Sequence, residues 1–219
     1  MPWNPEHYNM KTEEIKFSVT GIFPTPVYGA LNVKQITQLE LDFVEEQKSK
    51  VRIIESNSTS IDNYILEQPI FKDLKNIFEQ HLEEYLKKVI CPVETNIEIY
   101  ITQSWLNYTT VNQNHHAHYH ANSFLSGVFY FKGDKEIDRI SFQRPSQPGL
   151  LQVLSKKPNV YNIVDCNLEV DKAMLLIFPS TVVHYVEQKK DDNERISLAF
   201  NTFVRGNIGH SNSLTQLKL

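Results

Sequence analysis

Cysteine is nearly absent from this sequence, with two residues, Cys91 and Cys166, in 219. They lie far apart and in no metal-type spacing, so neither a disulfide scaffold nor a cysteine-held metal is expected. Each reads as a free thiol filling a small buried hydrophobic position. No apolar run approaches the roughly 18 residues of a membrane span. No Lys/Arg block stands out and the formal net charge is -4, so no nucleic-acid footprint is visible. The opening stretch MPWNPEHYNMKTEE lacks the basic and apolar regions of a signal peptide. Internal repeats and low-complexity linkers are missing as well. These absences leave the expectation of a cytoplasmic globular chain, 41% hydrophobic and able to bury a core.

Two helices are expected in the first half. Around 33–48, Ile36, Leu39, Phe43 and Val44 recur at helical spacing, with Asn32 as N-cap. Over 69–90, Phe71, Leu74, Ile77, Phe78, Leu82 and Leu86, with Tyr85 and Val89, form one apolar stripe. Pro69 suits the first turn of that helix and Pro92 ends it. His81 reads as a packing residue at the edge of the stripe. GIFPTPVYGALN (21–32) reads as a short edge segment, and the polar ESNSTSIDN (55–63) as a loop.

After Pro92 the period changes from helical to alternating. Ile97, Ile99 and Ile101 start a series of short strand-like runs at 103–108, 116–120, 125–131, 139–143, 150–154, 159–164, 173–178, 182–187 and 195–203. Many short strands separated by turn signals predict a closed or two-sheet antiparallel architecture, a barrel or jelly roll, with the helices on one outer face. One domain spanning 1–219 is expected: helical support at 33–90, a β core at about 95–204 and a tail at 205–219.

Four of the eight histidines fall within HHAHYH, residues 115–120. On a strand, His116, His118 and His120 share one face, and two imidazoles about 7 Å apart can converge on one ion. A third ligand must come from elsewhere. His184, after the apolar run AMLLIFPSTVV, is the best candidate. In ERISLAFN, Arg195, Ser197, Ala199 and Asn201 share a face opposite Ile196, Leu198 and Phe200. A guanidinium and a hydroxyl one pleat apart suit a carboxylate ligand. Asn107 and Asn201 are polar residues in apolar strands and are expected to face a cavity or form buried hydrogen bonds. His7 and His210 are assigned no role.

The ordered pieces SWLNYTTVNQNHHAHYHANSFLSGVFYF, ISFQRP, LLIFPSTVVHYV and ERISLAFNTF, with the early GIFPTPVY, resemble the iron(II)- and 2-oxoglutarate-dependent oxygenases. The resemblance is to the His-x-His, Ser-Gly, distal His, Arg-x-Ser type. It implies a mainly β double-stranded β-helix (jelly roll, cupin-like) with two N-terminal-half helices packed on one sheet. It implies iron(II), 2-oxoglutarate and dioxygen, and a hydroxylase acting on a substrate C–H bond. The metal ligands would be His118, His120 and His184. Arg195, Ser197, Tyr130 and Asn107 would bind the co-substrate, and His116, Asn122, Trp105 and Asn201 would face the substrate or serve catalysis. Family members occur in marine bacteria and their phages, so a phage origin, and then the host cytoplasm, is also implied. A small molecule or a peptide, a prolyl residue among them, is the implied substrate, and a homodimer is an open option.

One departure from the usual two-histidine, one-carboxylate triad matters: His120 stands where the carboxylate would be. Either three histidines bind the metal, or an acid such as Asp134 or Asp138 completes the shell while His120 faces substrate. The shifted frame His116/His118 is a further alternative. Three rivals to the oxygenase also stand: a cupin-type metal enzyme without 2-oxoglutarate, a zinc hydrolase, and a β-sandwich binding module.

Overall fold

The computed structural model describes residues 19, 21, 23–93, 96–144 and 156–219. Two β-sheets face each other, and two helices pack on the outer side of the larger one. The seven-stranded sheet runs β1 (Tyr28–Ala30), β9 (Leu175–Pro179), β6 (Leu125–Lys132), β11 (Arg195–Arg205), β4 (Glu98–Thr109), β3 (Asn57–Ser60), β2 (Val51–Ile54). The four-stranded sheet runs β5 (His115–His118), β10 (His184–Val186), β7 (Arg139–Gln143), β8 (Asp165–Glu169). From β4 onward the chain passes back and forth between the sheets, and the paired strands are antiparallel. This is the expected jelly roll. A small hairpin, β12 (Asn207–Ile208) with β13 (Leu217–Lys218), follows.

Alternation along the central strands separates the two faces. Leu106, Phe129, Phe131, Leu198 and Phe200 point outward and are buried under the helices. Helix α2 (Lys72–Tyr85) brings Leu74, Phe78, Leu82 and Tyr85 onto them, and Phe78 stacks on Phe200 at 5.1 Å. Each such side chain removed from water contributes about 1.5–3 kcal/mol. Gly127 makes this approach feasible: a Cβ there would lie 2.1 Å from Cζ of Phe200. The glycine of the Ser-Gly pair therefore has a packing cause.

The long helical stretch spans 69–90 as expected, beginning at Pro69 and ending in π-helical turns at Leu86–Ile90. Val89 is exposed, because the stripe leaves the sheet before the helix ends. Helix α1 (Gln38–Gln47) is shorter than expected. Its cap is Thr37, in a reciprocal box with Glu40, whereas Asn32 lies outside the helix with φ 51°. Leu39 faces solvent and Val44 carries the packing.

Other boundaries also differ. The polar stretch 55–63 is not a plain loop: β2 and β3 form a hairpin that turns at Glu55, with φ 54°. The runs at 97–101 and 103–108 form the single strand β4. The run at 159–164 is mostly turn, and β8 follows it. The run at 150–154 lies outside the described residues, as does His7. Both cysteines are free and exposed, not buried. His81 is a packing residue as expected, with Nδ1 2.7 Å from the Tyr28 hydroxyl. No helix among the described residues is long and apolar enough to cross a membrane.

Candidate metal and co-substrate site

Strands β5 and β10 pair so that His118 and His184 stand directly opposite each other. His120 lies two residues past the end of β5. Its backbone N–H donates to the Ser180 carbonyl at 2.9 Å, which draws the turn toward the sheet. The ring centroids are 4.4 Å apart for His118 and His184, 4.9 Å for His118 and His120, and 5.2 Å for His120 and His184. One ring nitrogen from each lies within 4.8 Å of the others.

The tautomers suit a metal. Nδ1 of His118 is 2.8 Å from the His116 carbonyl, and Nδ1 of His184 is 3.0 Å from the Val182 carbonyl. A carbonyl only accepts, so both Nδ1 atoms carry the proton and both Nε2 lone pairs are free. Burial holds the rings neutral, pulling His120 down to about 4 and His184 to about 3, with the neighbouring His118 adding to the shift. His118 is lowered for the same reason. Neutral imidazoles converging from two chain segments fit a divalent transition metal.

No carboxylate lines this cavity among the described residues. Asp138 is buried elsewhere and paired with Lys189 at 2.9 Å, and it also accepts the Asp134 N–H at 3.0 Å. The alternative in which Asp134 or Asp138 completes the shell has no support here. The shifted frame has none either, because His116 does not line the cavity. His116 Nδ1 sits 3.1 Å from Glu55 Oε2, off a hydrogen-bonding axis. His115 does line the cavity and stacks on His118 at 4.4 Å. Burial lowers its pKa to about 3.

Arg195 lines the same cavity and is 4% exposed. Its guanidinium donates to Thr109 Oγ1 at 3.1 Å and to the Arg139 carbonyl at 3.3 Å. No carboxylate pairs with it among the described residues. Burial pulls its pKa below the usual range, and Tyr130, Asp138 and Asp191 oppose that shift. Its hydrogen-bond acceptors are neutral, so this buried guanidinium has no direct ion pair, and the Asp138 and Asp191 charges act on it only through space. In the register, Ser197 faces Asn107 on one side and Tyr130 on the other, so the three form a row across the cavity wall. Burial raises the Tyr130 phenol, which stays protonated.

The remaining expected residues separate. Trp105 lines the cavity with its ring 5.7 Å from His120. Asn201 accepts from Ser126 Oγ at 2.9 Å, and Ser126 in turn contacts Ser180, so it braces the turn at 180. Asn122 is exposed in the turn after His120, with φ 55°, and is not part of the cavity lining. Thr109, Phe178 and Tyr185 line the cavity although the sequence reading passed over them.

Residues 103–201 match the family model described as "Putative 2OG-Fe(II) oxygenase", a span holding the three histidines, Arg195 and Ser197. The matched span, just under half of the chain, is similar to the 2OG-Fe(II) oxygenases. That likeness is to enzymes of a class that uses iron(II), 2-oxoglutarate and dioxygen. Among curated proteins none matches. Solved structures share the fold. A prolyl-4-hydroxylase from Pseudomonas putida is 13% identical over 81% of this chain and 92% of its own, with a TM-score of 0.55. HygX from Streptomyces hygroscopicus, with nickel and 2-oxoglutarate bound, is 11% identical over 81% and 82%, with a TM-score of 0.54. The epimerase SnoN, with Fe3+, alpha ketoglutarate and nogalamycin RO, is 9% identical over 83% and 81%, with a TM-score of 0.58.

Proposed function

We propose that this oxygenase uses His118, His120 and His184 as a three-histidine iron(II) site and hydroxylates a substrate C–H bond. The observation that carries the reading is the buried Arg195 guanidinium, unpaired by any described carboxylate, in the cavity that three neutral imidazoles enter. Three imidazoles leave both charges of a divalent metal uncompensated, and Arg195 adds a third positive charge. A diacid such as 2-oxoglutarate supplies the missing negative charge at both ends. A zinc hydrolase or a cupin without 2-oxoglutarate would leave Arg195 buried without a partner.

Each residue then has a task. Arg195 takes the far carboxylate, and Ser197 and Tyr130 add hydroxyl donors beside it. The Nδ1–carbonyl bonds of His118 and His184 hold the rings with Nε2 forward. Phe178 and Trp105 narrow the space around the histidines and exclude water. Bound iron(II) supplies the oxidation: substrate C–H, 2-oxoglutarate and dioxygen give C–OH, succinate and carbon dioxide. Trp105, near His120, faces the substrate side. A small molecule or a peptide residue, prolyl included, is the proposed substrate class, by analogy with the fold relatives that act on such molecules. The whole chain is read as one catalytic domain working in the cytoplasm.

The test uses protein purified without oxygen. Iron(II) binding with a spectral change on adding 2-oxoglutarate, and succinate formation in a screen of peptides, amino acids and nucleobases, is the expected result. Arg195→Met should weaken 2-oxoglutarate binding by about 30-fold or more, from the roughly 2–5 kcal/mol lost with one partner of a buried charge pair. Metal content should stay the same. Tight zinc with no response to 2-oxoglutarate would refute the reading.

A further inference from the structure

From the cavity wall back into the β2–β3 hairpin, four buried side chains continue the hydrogen bonding from Arg195. Thr109 Oγ1 accepts from Arg195 and donates to Asn57 Oδ1 at 3.2 Å. Asn57 Nδ2 donates to Asn107 Oδ1 at 2.9 Å and to Thr59 Oγ1 at 3.3 Å. Thr59 Oγ1 donates its own proton to Asn107 Oδ1 at 3.2 Å. Asn57, Thr59, Asn107 and Thr109 are all at most 6% exposed.

The chain has a fixed direction. A guanidinium only donates. Thr109 must therefore spend its hydroxyl proton on Asn57, which places Oδ1 of Asn57 toward Thr109. Nδ2 of Asn57 then faces Asn107, and Asn107 must turn Oδ1 to meet it. Oδ1 of Asn107 receives two donors, while no described acceptor takes its Nδ2 protons. Asn107 lines the cavity in the row with Ser197 and Tyr130.

We infer that Asn57 and Thr109 are positioning residues that hold Asn107 with its Nδ2 hydrogens facing the cavity, where they donate to the dianion held by Arg195. This rests on the 2-oxoglutarate reading above. It goes further by making the hairpin β2–β3, outside the catalytic core, set the donor polarity of that wall. The row of Asn107, Ser197 and Tyr130 can then donate throughout, and a ligand presenting only acceptors is selected.

The experiment uses the full chain loaded with zinc(II), which is diamagnetic, and titrates 2-oxoglutarate. The Asn107 side-chain amide resonances, identified by their loss in Asn107→Leu, should shift with the same saturation curve as Trp105 fluorescence. Asn107→Leu should weaken 2-oxoglutarate binding about tenfold or more, the usual loss for a hydrogen bond to a charged group. Asn57→Asp keeps an acceptor for Thr109 but loses the donor to Asn107, so the Asn107 amide turns over. A similar loss is expected, with no further loss when Asn57→Asp is added to Asn107→Leu. A loss that persists in that double variant would mean the new charge acts on Arg195 directly, and would overturn the inference. If Asn57→Asp does not fold, the amide resonances decide alone. Resonances that stay still while 2-oxoglutarate binds overturn the inference and leave the proposed function standing. Failure of the wild-type protein to bind 2-oxoglutarate, or Arg195→Met binding it equally well, overturns both.

Discussion

The two faces of the seven-stranded sheet come from the same strands, yet they do opposite things. On β11, Ile196, Leu198 and Phe200 enter an apolar cluster with the helices, while Arg195, Ser197 and Ala199 line the cavity. On β6, Phe129 and Phe131 go outward, and Val128 and Tyr130 go inward. The outer face supplies stability by burying area. The inner face keeps a guanidinium and histidine nitrogens out of water without full compensation, which costs stability and suits a ligand. Pleating lets one strand do both, because neighbouring residues never share a face.

Substitutions can break this contrast. The largest effect on the fold should come from Phe78→Ala on the outer side. Loss of a ring stacked on Phe200 and 5.4 Å from Phe129 should cost about 3–5 kcal/mol of unfolding free energy. Denaturant titration measures this, and metal bound per folded molecule should not change. On the inner side, His184→Ala should abolish stoichiometric metal binding and cost the metal-free fold only about 1–2 kcal/mol, within the ordinary range for a single substitution. A loss as large as that of Phe78→Ala would erase the division of labour.

Acid should act on the inner face as well. Folded His115, His120 and His184 titrate near 3, 4 and 3, well below the ordinary 6.5. As pH falls below about 6.5 the unfolded chain takes up protons that these buried rings refuse. Their contribution to stability is present above that pH and is lost progressively toward the folded values. The melting temperature of metal-free protein should therefore fall from pH 6.5 to 4, and His184→Ala should flatten the slope. The smallest effect is expected for Asn122→Gly, exposed in a turn at φ 55°, where glycine is at ease: within about 0.5 kcal/mol and without change in metal content.

Legibility in the sequence followed the same contrast. The long helix announced itself because its stripe is apolar and meets an apolar face. Arg195 and Ser197 were readable because strict alternation surrounds them. His118 and His120 were readable by spacing, although only His118 is on the strand and a bond to Ser180 brings His120 into place. The hairpin at 51–60 was hidden because its inward residues, Asn57 and Thr59, are polar and buried against Asn107. Serine, threonine and asparagine read as loop when nothing in the local pattern shows what they bond to. Thr37 lost the cap to Asn32 in the reading because the reciprocal bond with Glu40 depends on where the chain turns, not on residue type. The three-histidine shell was the leading reading of the sequence, while the fate of the acid alternative was not legible, since the burial of Asp138 with Lys189 joins segments far apart in sequence.

Among the described residues, strand β5 lies at the rim of the smaller sheet and pairs with a single neighbour, β10, with an irregular register beyond His184. Rim strands held on one side come loose most easily. Because His118 and His184 sit across that seam and His120 just past its end, whatever ion they share would act as a rivet through three points of a frayable margin. Amide hydrogens of residues 115–118 should then exchange with solvent more slowly once the site is filled, so that loading the enzyme and closing its border are one event.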